Sequence, residues 1–550
     1  MKNSKIFLTL LAAGSLFTAC NDLDQMPNSS SVTEEQKKDV MEQNPDLAAA
    51  GVNALPEQLN AFYTQFENHI DFGLTSVFLS QDCRGLDMVS ANVGYNWYTP
   101  ALEMSDFNGL YFLNLNTWYF NYYTIRSANA VLAGISHDTE NPELMYYLAQ
   151  GYTFRAYCYF NLAQMYAFTY AKDPNALCVP LVTDTNMEEV GVNGCPRATV
   201  KEVYDQIISD LTEAIRLFEL AAEAGDDRYT MNSATPAIAK TFANATVAYA
   251  LRARANLFRV DYQGALADAD KALELCDAEG LAPISATQAS VPGFDDLDSP
   301  NFLWGVYADP SLTRYSHSIV TWASHATGFQ TNGYCGAGTY RRCNKKLYES
   351  IPSSDVRKNW WLDAAGNPPS ALPSNYANFI KTGYAEAGNE KFDPYATVKF
   401  GAPDDMPSVS GAIDYPWMRV EELYYIKAEA MGYVQGATAG ATFLTNSFVK
   451  PFRNSEYRIN PTSADELREA IWQERRVEFW GEGLAYADLQ RLQKTIDRRG
   501  GGFPSAFVIV VAPDDWVRLY DIPSSEIERN PLIVDGTHGA VQPTPVPDEE

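Results

Sequence analysis

Phe242-Ala-Asn-Ala-Thr-Val-Ala-Tyr-Ala-Leu-Arg-Ala-Arg-Ala-Asn-Leu-Phe-Arg-Val-Asp-Tyr-Gln-Gly-Ala-Leu-Ala-Asp-Ala-Asp-Lys-Ala-Leu-Glu-Leu275 spans 34 residues, the length of a tetratricopeptide unit. Ala248, Ala253 and Ala255 are small enough to let two helices approach closely. Asp261-Tyr262 makes the turn, and Ala265, Ala269 and Ala272 pack the second helix back on the first. A weaker copy lies at residues 421–452, where Glu422-Leu-Tyr-Tyr-Ile-Lys-Ala-Glu-Ala430 resembles a first helix. Two such units do not make a stable solenoid, which needs about three. The expected fold is therefore mainly α, a tetratricopeptide-like helical-repeat scaffold with other helices packed on it.

Other helices read the same way. Thr199-Val-Lys-Glu202 is a capping box that opens a stripe of Val200, Tyr204, Ile207, Leu211, Ile215 and Phe218 at helical spacing. Residues 143–168 carry Leu148, Tyr152, Tyr159, Ala163 and Tyr166 on one broad face. Residues 281–410 differ. They are rich in Pro, Gly, Asn, Asp and Ser, with scattered aromatics that include Trp304, Trp322, Tyr334, Trp360 and Trp361. A long irregular stretch inside a compact protein is usually functional, so it reads as a loop-rich inserted subdomain. The expected layout is a tether at 20–45, helical regions at 46–280 and 411–540, the insertion at 281–410 between them, and a frayed tail at 541–550.

The N-terminus reads Met1-Lys-Asn-Ser-Lys-Ile-Phe-Leu-Thr-Leu-Leu-Ala-Ala-Gly-Ser-Leu-Phe-Thr-Ala-Cys20. Lys2 and Lys5 form a positive start, and Ile6 to Phe17 a mostly apolar run too short for a bilayer, which needs about 20 residues. With Cys20 at its end, residues 1–19 look like a bacterial lipoprotein signal peptide, and Cys20 is the expected lipidation site. The net charge is −28, or −30 once Lys2 and Lys5 leave with the signal, which argues against nucleic acid as a partner. Eight cysteines leave seven after Cys20, so at least one thiol stays free without an intermolecular bridge. Cys335 with Cys343, and Cys178 with Cys195, are possible pairs, and spacing decides neither.

Catalytic motifs are scarce. There is no Gly-x-Ser-x-Gly, His-Glu-x-x-His, phosphate-binding loop or Gly-x-Gly-x-x-Gly fingerprint. Glu474 and Glu478, four apart on a helix that opens at Ser463-Ala-Asp-Glu466, put their Cβ atoms about 6 Å apart. Retaining glycosidases hold two carboxyls about 5–5.5 Å apart, so this pair is the one enzyme candidate. The competing reading is a set of structural ion pairs with Arg475, Arg476 or Arg491. His317 with His325 lacks further metal ligands, and Asp295-Asp-Leu-Asp298 reads as a solvated acidic loop. No cofactor and no metal site are expected.

Several stretches together resemble the SusD/RagB family of outer-membrane lipoproteins. They are residues 147–162 (Tyr-Leu-Ala-Gln-Gly-Tyr-Thr-Phe-Arg-Ala-Tyr-Cys-Tyr-Phe-Asn-Leu), 203–211, Ala428-Glu-Ala430, 474–489 (Glu-Arg-Arg-Val-Glu-Phe-Trp-Gly-Glu-Gly-Leu-Ala-Tyr-Ala-Asp-Leu) and Leu519-Tyr-Asp-Ile-Pro-Ser-Ser-Glu526 with Asn530-Pro531. Ala485 stands where the family usually has Arg, and Asp521 where it has Pro. The resemblance implies a lipid-anchored protein on the extracellular face of the outer membrane, not an enzyme. It would capture an oligosaccharide, or a peptide in the RagB-like branch, for a SusC-like TonB-dependent barrel. A surface glycosidase using Glu474 and Glu478 is the remaining alternative.

Ligand contacts in the family come from the N-terminal loop region and the inserted subdomain. Sugars present apolar C–H faces and dense hydroxyls, so flat aromatics beside Asp, Asn or Arg are the groups to seek. Gln81-Asp-Cys-Arg-Gly-Leu-Asp87 and Val93-Gly-Tyr-Asn-Trp-Tyr98 hold both kinds. The expected contacts are Asp82, Arg84, Asn96, Trp97 and Tyr98, with Trp304 and Trp322 opposite.

Overall fold

The computed structural model describes residues 34–549 apart from 63–66, 93, 226–235, 292, 310, 312–320, 327–332, 383–391 and 402–411. Cys20, the signal segment and His317 lie outside the described residues. Helix α1 spans Asp46–Leu59, α2 Leu74–Arg84, α3 Phe112–Gly134, α4 Pro142–Tyr166, α5 Val200–Glu223, α6 Ala245–Phe258 and α7 Tyr262–Glu279. After a stretch of short elements come α8 Val420–Val434, α9 Ala437–Leu444, α10 Ala464–Glu478 and α11 Ala485–Arg491. Two antiparallel strand pairs position the insertion: β1 Met88–Ser90 with β3 Arg341–Cys343, and β2 Phe302–Val306 with β4 Tyr415–Arg419.

The 34-residue unit forms α6 and α7. Asp261 caps α7 by accepting from the Gly264 N–H at 2.9 Å. All six alanines named above are buried, so the two helices meet with almost no side chain between them. The capping box at Thr199 is complete and starts α5, and every residue of its apolar stripe is buried. At Ser463 only half the box forms. Its hydroxyl accepts from Glu466 N–H, but the Glu466 carboxylate takes the Thr462 N–H instead, at 2.7 Å.

The helices pack in chain order: α3 on α4, α4 on α5, α5 on α6, α6 on α7. The next partner of α7 is α8, more than 130 residues further along the chain. Ala265, Leu266 and Ala269 of α7 meet Ile426 and Ala430 of α8, and Tyr262 stacks on Tyr433 with centroids 3.9 Å apart. The helical stack thus continues across residues 280–419, which loop out and return. This is a mainly α, tetratricopeptide-like scaffold with a loop-rich insertion. The start and end of the insertion pair with each other as β2 on β4, and its middle is tied to the N-terminal region as β3 on β1.

Three sequence expectations change. The stretch expected as an aperiodic tether at 20–45 holds a helix at Glu34–Gln43. The tail is pinned rather than frayed. Val546 N–H donates to Val508 O at 2.8 Å, and Asp548 and Glu549 meet Gly500 and Arg499. Among the described residues Cys83, Cys158, Cys178, Cys195, Cys276, Cys335 and Cys343 are all free and buried, so neither possible pair is bridged.

A buried charged cluster joins the insertion to the C-terminal helices. Arg453 donates to Glu478 at 2.9 Å and to Glu421 at 2.8 Å. Arg419 bonds Glu482 at 2.8 Å and Glu478 at 3.1 Å. Arg357 joins Asp355 at 2.6 Å, Glu478 at 3.3 Å and Glu474. Lys399, from the insertion, donates to Glu482 at 2.6 Å and to the Glu478 and Trp480 carbonyls. Burial pushes the Glu478 carboxyl up, but Arg453 and Arg419 override that and hold it well below the usual carboxylate range. Glu474 and Glu478 are therefore engaged structurally. Their partners are Arg357, Arg419 and Arg453, not the neighbouring arginines that the sequence offered. Removing one charge from such a cluster leaves buried cations uncompensated, at a cost of about 3–5 kcal/mol. Glu478→Gln is expected to lower the unfolding free energy by that amount in urea unfolding followed by circular dichroism; an unchanged unfolding curve would contradict the structural role.

Candidate ligand-binding site

Helix α2 is buried along its whole length and delivers the chain into the loop before and after β1. Asp82 and Arg84, at its end, do not pair with each other. The Asp82 side-chain carboxyl accepts from Gly483 N–H at 3.0 Å. Arg84 pairs with Asp106, donates to Val517 O at 2.6 Å and lies over the Tyr520 ring. Both are enclosed, so neither presents a face to a ligand.

The loop at 94–98 alternates. Asn96 points inward, donating to Ser90 Oγ and Ala91 O, both at 3.1 Å, while its side-chain carbonyl receives Tyr98 N–H. Tyr98 is fully buried, its hydroxyl 2.8 Å from Ser76 Oγ. Tyr95 and Trp97 point outward and are 62% and 40% exposed. Beneath them sit His69, whose ring centroid is 4.7 Å from that of Trp97, and Tyr334, 6.4 Å from Trp97 and 6.3 Å from Tyr95. The Tyr334 hydroxyl bonds His69 Nδ1. A second layer of His325, Phe72 and Tyr98 supports Tyr334: His325 is 4.9 Å from Tyr334 and stacks on Phe72 at 5.2 Å. Burial holds the His69 ring below its ordinary pKa, which keeps it neutral at neutral pH. The result is an uncharged aromatic platform of mutually tilted rings, two of them open to solvent.

Trp304 and Trp322 do not face this platform as ligand contacts. Trp304 has no exposed surface; its indole N–H donates to Thr241 O at 2.9 Å, and its ring packs on Trp417, Tyr157 and Phe154. Trp322 is 5% exposed, packed on Phe400 and Tyr415. A large ring on a strand or helix next to a bulky core is worth more buried than exposed. Of the expected contacts, Trp97 alone is open to solvent. Tyr95, His69 and Tyr334 are platform members that the sequence does not single out. The in–out alternation of Tyr95-Asn96-Trp97-Tyr98 is a signal for the first; the other two come from distant stretches. Among the described residues no group of three or more His, Cys, Asp or Glu side chains gathers as a metal site.

Asp82 carries a measurable consequence. Burial pushes its carboxyl up to about 8; the Gly483 N–H pulls it down, and Glu482 and Asp87 push it up again. The unfolded chain loses this proton near pH 4. Between about pH 4 and 8 the fold therefore binds more protons than the unfolded chain, and this group's contribution to stability falls as pH rises. Asp82→Asn stays neutral and keeps the shape. Its stability relative to the parent is expected to rise across that window, by up to roughly 1.4 kcal/mol per pH unit. Urea unfolding of both proteins at pH 5, 6.5 and 8 measures this, and a difference independent of pH would contradict it.

Residues 75–243 match a family model described as "Starch-binding associating with outer membrane", and residues 339–537 match the model of the SusD family. A SusD-like protein, P2, of Formosa agariphila is 22% identical over 389 residues, covering 68% of this chain and 71% of its own. The crystal structure of a SusD-like carbohydrate binding protein from Bacteroides vulgatus superposes with a TM-score of 0.69 at 22% identity, covering 90% of this chain and 98% of the other. Surface glycan-binding protein A from Bacteroides thetaiotaomicron, solved with laminarihexaose, superposes with a TM-score of 0.63 at 16% identity, covering 90% and 99%. With both family models matching in order on one shared fold, the chain belongs to the SusD/RagB family.

Proposed function

We propose that this chain is a non-catalytic surface lipoprotein that holds oligosaccharide on the Tyr95–Trp97 platform and passes it to a SusC-like TonB-dependent outer-membrane barrel. The observation that carries the reading is the pair of exposed rings, 62% and 40% open, on an uncharged aromatic base. Sugar rings offer an apolar C–H face that stacks on such a surface. Peptide termini need charged partners, which the platform itself does not carry, and this favours glycan over peptide. The family description names starch and the outer membrane, and the Bacteroides thetaiotaomicron relative was solved with laminarihexaose, which supports the same ligand class. A glycosidase reading lacks its acids: Glu478 has no exposed side-chain surface and Glu474 is tied to Arg357.

Cys20 would carry the lipid that keeps the binder at the membrane. No helix among the described residues is long and apolar enough to cross a bilayer, so attachment in this reading falls to the acyl chains.

Two outcomes are expected. Trp97→Ala weakens binding of the best ligand in a neutral oligosaccharide panel by at least tenfold, or about 1.4 kcal/mol, in calorimetry on folded protein. Intact affinity would overturn the site. Cys20→Ala leaves that affinity unchanged and abolishes surface retention, read by protease accessibility on whole cells; retention without Cys20 would contradict the anchor.

A further inference from the structure

A second cavity of about 410 Å³ lies between α1 and the β2–β4 pair, and its lining shares no residue with the platform. Asn53 and Glu57 of α1 form one wall. Phe242, before α6, with Tyr307 and Asp309, after β2, form the other. Trp417 of β4 completes the lining. It is 4% exposed, and its indole N–H finds no acceptor among the described residues. Trp304, Trp360 and Trp480 each donate theirs to a backbone carbonyl, while Trp322, Trp361 and Trp472 share the unpaired state of Trp417; among these four, only Trp417 lines this cavity. A buried donor without an acceptor costs free energy unless water or a ligand oxygen meets it.

The volume is in the range of small-molecule sites. Aromatic faces with the Asp309 carboxylate on one side, and the Asn53 amide with the Glu57 carboxylate on the other, suit a ligand with an apolar face and a hydroxyl edge. Glu57 and Asp309 line the cavity, and among the described residues no Lys or Arg does. The two carboxylates disfavour uronic or sulfated sugars and favour a neutral one, whose hydroxyls donate to them.

We infer that this cavity is a second carbohydrate site, separate from the Trp97 platform, that takes one or two rings of a neutral sugar. It rests on the glycan-binding reading above and adds a site to it. Asn60, at the end of α1, and His69 of the platform are nine positions apart in the sequence, so the two sites draw on neighbouring parts of the chain.

The test uses purified protein labelled with 5-fluorotryptophan and followed by fluorine NMR. The Trp97 and Trp417 resonances are assigned by their loss in Trp97→Phe and Trp417→Phe. Laminarihexaose, maltohexaose, cellohexaose and a galacturonic acid hexamer are titrated in turn. The expected result is a saturable shift of Trp417 with at least one neutral hexamer and none with the acidic one. That shift persists in Trp97→Ala and disappears in Tyr307→Ala, with Asn53→Ala as the milder second variant; both are checked for fold by circular dichroism. If Trp97 shifts and Trp417 does not, the second site is wrong and the platform stands. If the Trp417 shift vanishes with Trp97→Ala and survives both cavity variants, it is relayed from the platform and the second site is again wrong. If neither resonance moves with any hexamer, both readings fail.

Discussion

The charged cluster of Arg357, Arg419 and Arg453 with Glu421, Glu474, Glu478 and Glu482 fixes where the insertion sits on the helical stack. Buried ion pairs are weak evidence for net stability, because desolvation offsets much of the attraction. Their effect here is geometric. Each guanidinium is planar and needs its carboxylates in one arrangement. Satisfying all of them admits a single docking of residues 355–357 and 399 against β4, α8 and α10. The same logic recurs along the stack: Arg155 with Asp210 joins α4 to α5, Arg254 with Glu422 joins α6 to α8, and Arg491 with Glu429 joins α11 to α8.

From the cluster the constraint runs to the aromatic platform. Glu482 sits between Gly481 and Gly483, both at positive φ. A Cβ at Gly483 would lie 2.5 Å from Phe78, and one at Gly481 2.6 Å from Phe400, so the turn accepts no side chain at either position. Gly483 in turn donates to Asp82, and Phe78 and Asp82 both belong to α2. The end of α2 leads to β1, and from there to the loop that turns Tyr95 and Trp97 outward. A rigid support of this kind lowers the entropy that stacking a sugar would otherwise cost.

Much of the scaffold is legible in the sequence. The alanine spacing at 248–272 and the Thr199 capping box are local signals, and local physics decides them. The candidate site is legible only in part. The exposure of Trp97 can be read because a Gly-Tyr-Asn-Trp-Tyr run looks like a loop with rings to spare. Asp82, Arg84, Asn96, Tyr98, Trp304 and Trp322 look like ligand contacts in the sequence and are enclosed in the fold, because burial is a tertiary property. Arg84 meets Asp106 and Val517, and Trp304 meets Thr241, partners that no local window contains. His69 and Tyr334, 265 positions apart, come together only in the fold. Glu474 and Glu478 show the same limit, since Arg357 is remote from both in the chain and Arg453 is separated from Glu478 by the whole of α10.

An uncharged aromatic platform at Tyr95 and Trp97 that receives a sugar is the feature on which the functional reading turns. A crystal structure of the protein with a saturating neutral oligosaccharide to which it binds would show whether it does. The expected density is a pyranose ring stacked on the Trp97 indole, within van der Waals contact. Sugar density elsewhere with the Trp97 face bare would refute the platform's role.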